Sequence, residues 1–301
     1  MKTSRNNGKR LASRFAWIAL ALLLCAQLCG CSFSFSLESI LQSIKQYING
    51  DEAEVMPEGY IGSGKNDTFE YDLYEDHVVI TKYTGAATVV TVPSTLAEKP
   101  VRAIGGLAFY YGAKITYLRL PETVTELQEN ALYYCDALTT LILPSGLNKL
   151  GEKCFSWCSA LKTIALPDGI TELPHFCFNE CTALEDLFLP AGLTSIGNRC
   201  FSGCAALEKL TFGESMRSVG SYAFRGTTRL TEITLPGSCS LAANAFSGAS
   251  EELIVHTPAD SLCDRMCLEQ FVRTDNHAGG EVNIVDPSAD PSDASSAEAA
   301  G

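Results

Sequence analysis

Leu189-Pro190-Ala191-Gly192-Leu193-Thr194-Ser195-Ile196-Gly197-Asn198-Arg199-Cys200-Phe201-Ser202-Gly203-Cys204-Ala205-Ala206-Leu207 decides the reading of this 301-residue chain, because its landmarks recur in phase on both sides. Pro121, Pro144, Pro167 and Pro190 fall 23 residues apart, Gly213 takes the next place and Pro236 the one after. Counting from each Pro, Leu127, Leu150, Leu173, Ile196 and Val219 share one column. Leu132, Phe155, Phe178, Phe201 and Phe224 share a second, and Cys135, Cys158, Cys181 and Cys204 a third. Leu138, Leu161, Leu184, Leu207 and Leu230 complete the frame. Toward the N-terminus, Pro93 lies 28 residues before Pro121, and a five-residue insertion restores Ile104, Phe109, Gly112 and Ile115 to their columns. Toward the C-terminus, Pro236, Phe246 and Leu253 keep the frame after one deletion. A fixed period of this length means a solenoid, in which each repeat buries its apolar face only against its neighbours.

The physics of one repeat follows from its letters. Leu141-Ile142-Leu143 and Leu187-Phe188-Leu189 precede Pro, and side chains on a strand alternate, so the outer two residues face the core and the middle one faces out. The Pro has no N–H and ends ladder pairing there. Cys200-Phe201-x-x-Cys204-x-x-Leu207 has helix-like spacing and predicts a short helical or 3₁₀ segment on the opposite, convex side.

These columns resemble the BspA-like, or Treponema-type, bacterial leucine-rich repeats, matched nearly throughout by Leu189-Pro190 to Ile196, Cys200-Phe201, Cys204 and Leu207. Tyr71 to Pro100, with Val78-Val79-Ile80-Thr81 and Tyr83-Thr84-Gly85, resembles the module that opens such arrays. The expected fold is an α/β leucine-rich-repeat solenoid of about seven turns. Each turn has one short strand in a parallel sheet and a short helix or 3₁₀ segment on the convex side. The resemblance implies a cell-surface binding protein, for some relatives an adhesin.

Residues 1–30 carry Lys2, Arg5, Lys9, Arg10 and Arg14 and no acid, and Phe15 to Leu28 is almost wholly apolar. That is the layout of an export signal, with an apolar run short of the roughly 20 residues that span a bilayer. Leu28-Cys29-Gly30-Cys31 resembles a lipobox, so Cys31 is the expected lipidation site and the protein an extracytoplasmic, membrane-anchored one. Residues 31–66 read as an anchored segment and spacer. Within them Leu37, Ile40, Leu41, Ile44, Tyr47 and Ile48 have helical spacing, suiting either a bilayer surface or a cap on the solenoid. The solenoid is expected over 67–255, and a C-terminal cap over 256–285, where Leu262, Met266 and Phe271 cover the open end. Residues 286–301, rich in Ala, Ser, Asp and Pro, read as a disordered tail.

Without residues 1–30 the chain has 17 basic against 35 acidic residues, a net charge of −18, so a nucleic-acid phosphate backbone would be repelled. Hydrophobic residues make up 46%, enough for a large core. Chemistry is hard to find. Cys154 with Cys158, Cys177 with Cys181 and Cys200 with Cys204 have spacings that suggest zinc, His175 being a conceivable third ligand. Their columns alternate with Ala131, Ala223, Gly112 and Thr227, which favours small buried thiols, with disulfides the other alternative outside the cytoplasm. His77, His175, His256 and His277 are scattered, and no nucleophile elbow, zinc-helix motif or phosphate loop accompanies them. No cofactor, metal or catalytic residue is expected.

What remains is the outward side of the strands. Its columns are Arg119, Ile142, Ala165, Phe188, Thr211, Thr234 and Ile254, and two residues earlier Tyr117, Thr140, Thr163, Asp186, Lys209, Glu232 and Glu252. Exposed apolar residues that cluster mark contact surfaces. Tyr117, Arg119, Ile142, Ala165, Asp186, Phe188, Lys209 and Thr211 are therefore the candidate ligand-binding residues, for a protein or glycan ligand. The alternative is a structural lipoprotein that organises neighbouring envelope proteins.

Overall fold

The structure, a computed structural model, describes residues 57–110, 114–270 and 272–276. The export signal, Cys31, the amphipathic stretch before residue 49, Gly112, Phe271, His277 and the tail from 286 lie outside the described residues. Three antiparallel strands open the fold: Tyr60–Lys65, Phe69–Tyr74 and Val78–Tyr83. The first falls in the stretch read as spacer. Its glycines leave room for the neighbouring strand, since a Cβ on Gly64 would meet the Tyr71 ring at 2.5 Å. Val78–Tyr83 then pairs parallel with Lys99–Ile104 and passes the sheet on to the repeats.

Eight three-residue strands follow, one per turn: Val89–Thr91, Tyr117–Arg119, Thr140–Ile142, Thr163–Ala165, Asp186–Phe188, Lys209–Thr211, Glu232–Thr234 and Ile254–His256. The solenoid therefore has about eight turns, one more than the column count suggests. These strands form the long-strand ladder. In most of them the middle residue is buried and its neighbours point out, as alternation requires.

A second, two-residue strand per turn was not expected from the sequence. Glu126–Leu127, Lys149–Leu150, Glu172–Leu173, Ser195–Ile196, Ser218–Val219 and Ser240–Leu241 form a short-strand ladder on another side of the solenoid. The residue after five of these six strands donates back along the array, as Gly151 N–H does to Leu127 O (2.7 Å) and Gly197 N–H to Leu173 O (2.8 Å). A third hydrogen-bonded track runs along the convex side. There Phe155, Phe178 and Phe201 N–H donate to the carbonyls of Cys177, Cys200 and Ala223 in the next turn, at 3.0, 2.9 and 2.8 Å. Within each turn this side is closed by bonds of the 3₁₀ type, such as Cys158 N–H to Phe155 O (3.2 Å).

The convex track has a conformational cost. Asn130, Lys153, Phe176, Arg199 and Tyr222 recur with φ between 54 and 59°. Four residues on, Tyr134, Trp157 and Glu180 have φ of 60 to 64° before Gly203 and Gly226 take over that column. A left-handed conformation disfavours side-chain-bearing residues by about 1–2 kcal/mol each, so the turn needs its stacked neighbours.

Those neighbours supply a continuous core. Phe155, Phe178, Phe201 and Phe224 are fully buried, and their rings stack with Phe246 at centroid distances of 5.1 to 5.7 Å. At the C-terminus the helix Leu262–Glu269 is capped by Ser261 Oγ, which accepts from Asp264 N–H (3.1 Å). Its buried residues are Cys263, Asp264 and Cys267. Leu262, expected to help close the stack, is exposed. Met266 does lie against the last turn, where its Sδ accepts from Leu241 N–H (3.4 Å), and Arg273–Thr274 adds a final rung beside Ile254–His256.

Candidate functional site

The repeat cysteines have a structural task. Cys135, Cys158, Cys181 and Cys204 thiols donate to the backbone carbonyls of Phe109, Leu132, Phe155 and Phe178 in the preceding turn, at 3.1 to 3.4 Å. Thr227, next in the column, donates instead to Phe224 O (2.6 Å). A small side chain with one donor satisfies a buried carbonyl there. Burial pushes the thiols of Cys177, Cys181 and Cys204 well up from their ordinary range, and that of Cys239 to about 12. Protonated thiols are poor nucleophiles. His175, the conceivable third ligand, is otherwise engaged: its Nδ1 accepts from Asn198 N–H (2.7 Å), while Asn198 Oδ1 accepts from Ser221 N–H (2.8 Å).

The outward residues of the long-strand ladder form two parallel columns. Arg119, Ile142, Ala165, Phe188 and Thr211 are exposed in one, Phe188 at 61% and Ile142 at 41%. Asp186 and Lys209 are exposed in the other, with Tyr117 half-buried. The register corrects the end of both columns. Glu232 opposes Ile254 and Thr234 opposes His256, so Ile254 belongs beside Glu232, and Glu252 lies before the strand. The last strand is entered one residue sooner after Leu253 than its predecessor is after Leu230, a shift that column counting overlooked.

The ladder is not uniform. Asp186–Phe188 pairs with Thr163–Ala165, and Lys209–Thr211 pairs with Glu232–Thr234. Among the described residues no backbone hydrogen bond joins Asp186–Phe188 to Lys209–Thr211. The other two tracks stay closed at this level: Ser195–Ile196 pairs with Glu172–Leu173, and Glu180 N–H reaches Ser202 O (2.7 Å). A cleft of about 460 Å³ occupies the opening, lined by Glu185, Asp186, Leu187, Phe188, Glu208, Lys209 and Arg229. That volume lies within the roughly 300–1,000 Å³ of ligand pockets.

Charge runs across the cleft in an ordered way. Glu185 and Glu208 occupy equivalent positions on adjacent turns and repel. Each turns to a cation on its far side, Glu185 to Lys162 (3.8 Å) and Glu208 to Arg229. Lys209 is bound to Glu232 (2.8 Å), whose carboxyl the lysine hydrogen bond holds below the usual range. Among the described residues Asp186 has no cation, and its carboxylate accepts from the Thr163 hydroxyl (3.5 Å). Of the candidate residues, Asp186, Phe188 and Lys209 thus line one cleft, whereas Tyr117, Arg119, Ile142 and Ala165 lie earlier on the same face and Thr211 ends the strand beyond it.

Sequence reading passed over a second aromatic group, on the convex side, in which Tyr110 and Trp157 are exposed and Tyr133 and Tyr134 half-buried. Tyr110 stacks on Tyr133 at 5.6 Å, and Tyr134 on Trp157 at 5.4 Å. The signal was present in aromatic residues 23 apart.

The BspA-type leucine-rich repeat region matches in six copies over residues 92–188 and 171–260, together more than half of the chain. No curated protein matches by sequence. Among solved structures, a leucine-rich repeat protein of T. pallidum is 26% identical over 64% of this chain and 80% of its own, with a TM-score of 0.46. A leucine-rich repeat protein from Eubacterium ventriosum is 23% identical over 64% of this chain and 50% of its own, with a TM-score of 0.55. The pneumococcal vaccine antigen PcpA is 18% identical over 65% and 64%, with a TM-score of 0.52. The last two share the fold. With its six repeat copies matched and its turns stacked as the columns require, the chain belongs to the BspA-type leucine-rich repeat family.

Proposed function

We propose that this protein is a membrane-anchored, extracytoplasmic binding module of adhesin type that captures a protein or glycan ligand on the long-strand face of its solenoid. The observation that carries the reading is the interrupted ladder: a charged cleft opens beside Phe188, the most exposed aromatic side chain on that face. Exposed aromatic anchors beside a polar rim are the usual makings of a contact surface. Lining charges that are tied up in ion pairs suit recognition better than acid–base chemistry. Among the described residues no helix is long and apolar enough to cross a membrane. The anchor is assigned to a lipid on Cys31, where two or more acyl chains would give a lasting tether.

The test is capture of extracellular-matrix proteins and arrayed glycans by the full chain and by a double variant, Ile142→Ser with Phe188→Ser. Capture should be lost while the melting temperature holds; undiminished capture overturns the reading. Retention of a single envelope protein by both forms would instead favour a scaffolding role. Metabolic labelling with a radioactive fatty acid should disappear in Cys31→Ala, and persisting label would refute the anchor.

A further inference from the structure

We propose that the opening between Asp186–Phe188 and Lys209–Thr211 is a strand-acceptor site, which takes an extended, basic segment of a partner protein by ladder addition. The inference rests on the reading of this face as the binding surface and names the ligand's chemistry.

Backbone chemistry gives the first argument. Where the ladder is closed, Leu166 N–H donates to Phe188 O (3.0 Å) and Phe212 N–H to Thr234 O (3.0 Å). At the opening the equivalent bond from Leu189 N–H to Thr211 O is missing, as is that from Lys209 N–H to Glu185 O. Two strand edges thus face one cleft with their donors and acceptors unspent. Unpaired edges template the addition of another strand, and an added strand gains affinity from main-chain bonds and specificity from alternate side chains.

The floor gives the second argument. Leu118, Leu141, Ile164, Leu210 and Ile233 are buried at the mid-strand position, yet Leu187 is only half-buried. An apolar side chain on an incoming strand would cover it.

Charge selects among peptides. Lys209 and Arg229 already have partners outside the cleft or on its rim, whereas the Asp186 carboxylate has no cation among the described residues. A chain of net charge −13 repels acidic segments generally. The favoured segment alternates apolar residues facing Leu187 with basic residues facing Asp186 and Phe188, where a cation also meets an aromatic face.

The probe is a fluorescent octapeptide of alternating valine and lysine, titrated into the full chain and followed by anisotropy. It should bind saturably. The same peptide N-methylated on alternate amides, and a valine–glutamate version, should bind at least about tenfold more weakly. Asp186→Lys should weaken the parent peptide at least about tenfold, whereas Glu172→Lys, an exposed carboxylate outside the cleft, should leave it unchanged. No saturable binding, equal binding of the N-methylated peptide, or equal losses in the two charge variants each overturn the strand-acceptor site. Capture of a glycan or folded protein that depends on Phe188 in the absence of peptide binding would overturn it too, while leaving the broader face reading intact.

Discussion

The turns from Lys209 to His256 and those from Thr140 to Phe188 carry the same buried columns, yet the first block is closed and the second is not. In the closed block both ladders and the convex track are hydrogen-bonded from turn to turn. In the central block the long-strand ladder is open on both sides of the Thr163–Ala165 and Asp186–Phe188 pair, and the short-strand ladder is interrupted between Lys149–Leu150 and Glu172–Leu173. Among the described residues the backbone bonds between those two turns are convex ones, such as Lys153 N–H to His175 O (3.1 Å). The short-strand break has a clear cause. Pro174 occupies the position from which Gly151 and Gly197 donate to the turn before, and it has no N–H. Gln128 and Ala242 carry a Cβ in the same column and still donate, to Ile104 O and Val219 O at 2.9 Å, so the missing donor matters more than the added bulk. Core columns therefore hold the turns together, while single donors and surface charges decide which ladder closes.

The largest expected effect probes the claim that the core is indifferent to the ladders. Phe178→Ala in the open block and Phe224→Ala in the closed one should each destabilise by about 3–5 kcal/mol, through the cavity left in a close-packed stack. Denaturant titration would show two similar losses. A loss at Phe178 smaller by more than about 2 kcal/mol would mean that open ladders relax the core.

The thiols set a smaller, pH-dependent effect. Their pKa values are higher in the folded chain than unfolded, so the native state keeps protons that the unfolded state has lost. Stability is complete below the unfolded value near 9 and falls as pH rises from there toward the folded values, by about 1.4 kcal/mol per unit for each such thiol. Cys181→Ala and Cys204→Ala should both flatten that decline. A melting temperature equally steep in pH in wild type and variants would show that other groups govern it.

The smallest effect sharpens the comparison itself. Pro174→Gly restores an N–H where the short-strand ladder lacks one and should add about 0.5–1 kcal/mol or less, because one net hydrogen bond is offset by glycine's freedom when unfolded. Amide exchange at the new glycine should be slow, like that of Gly151 and Gly197; fast exchange would show that the turns stay apart for another reason.

Much of this was legible in the letters because burial enforces columns. Phe201 and Leu207 could be assigned to the core from period alone, and Ile142 and Phe188 to the outward face from strand alternation. The short-strand ladder was not legible, since a two-residue strand such as Glu172–Leu173 is too brief to show a period of two. The cleft was not legible either. Asp186, Phe188 and Lys209 were singled out as exposed residues, but their convergence depends on bonds that fail to form between equivalent strands, and each turn shows the same pattern of letters there. Pro174 was the one written warning, and it marks the neighbouring break.

The uneven bonding also has a mechanical meaning. Hydrogen bonds between turns run along the axis of the array, so a pull along that axis would load them in series from turn to turn. Most junctions share that load among three tracks; the one between Lys149–Leu150 and Glu172–Leu173 carries it on the convex track and the core alone. Under tension the solenoid should give way first there, stretching like a spring with one soft coil.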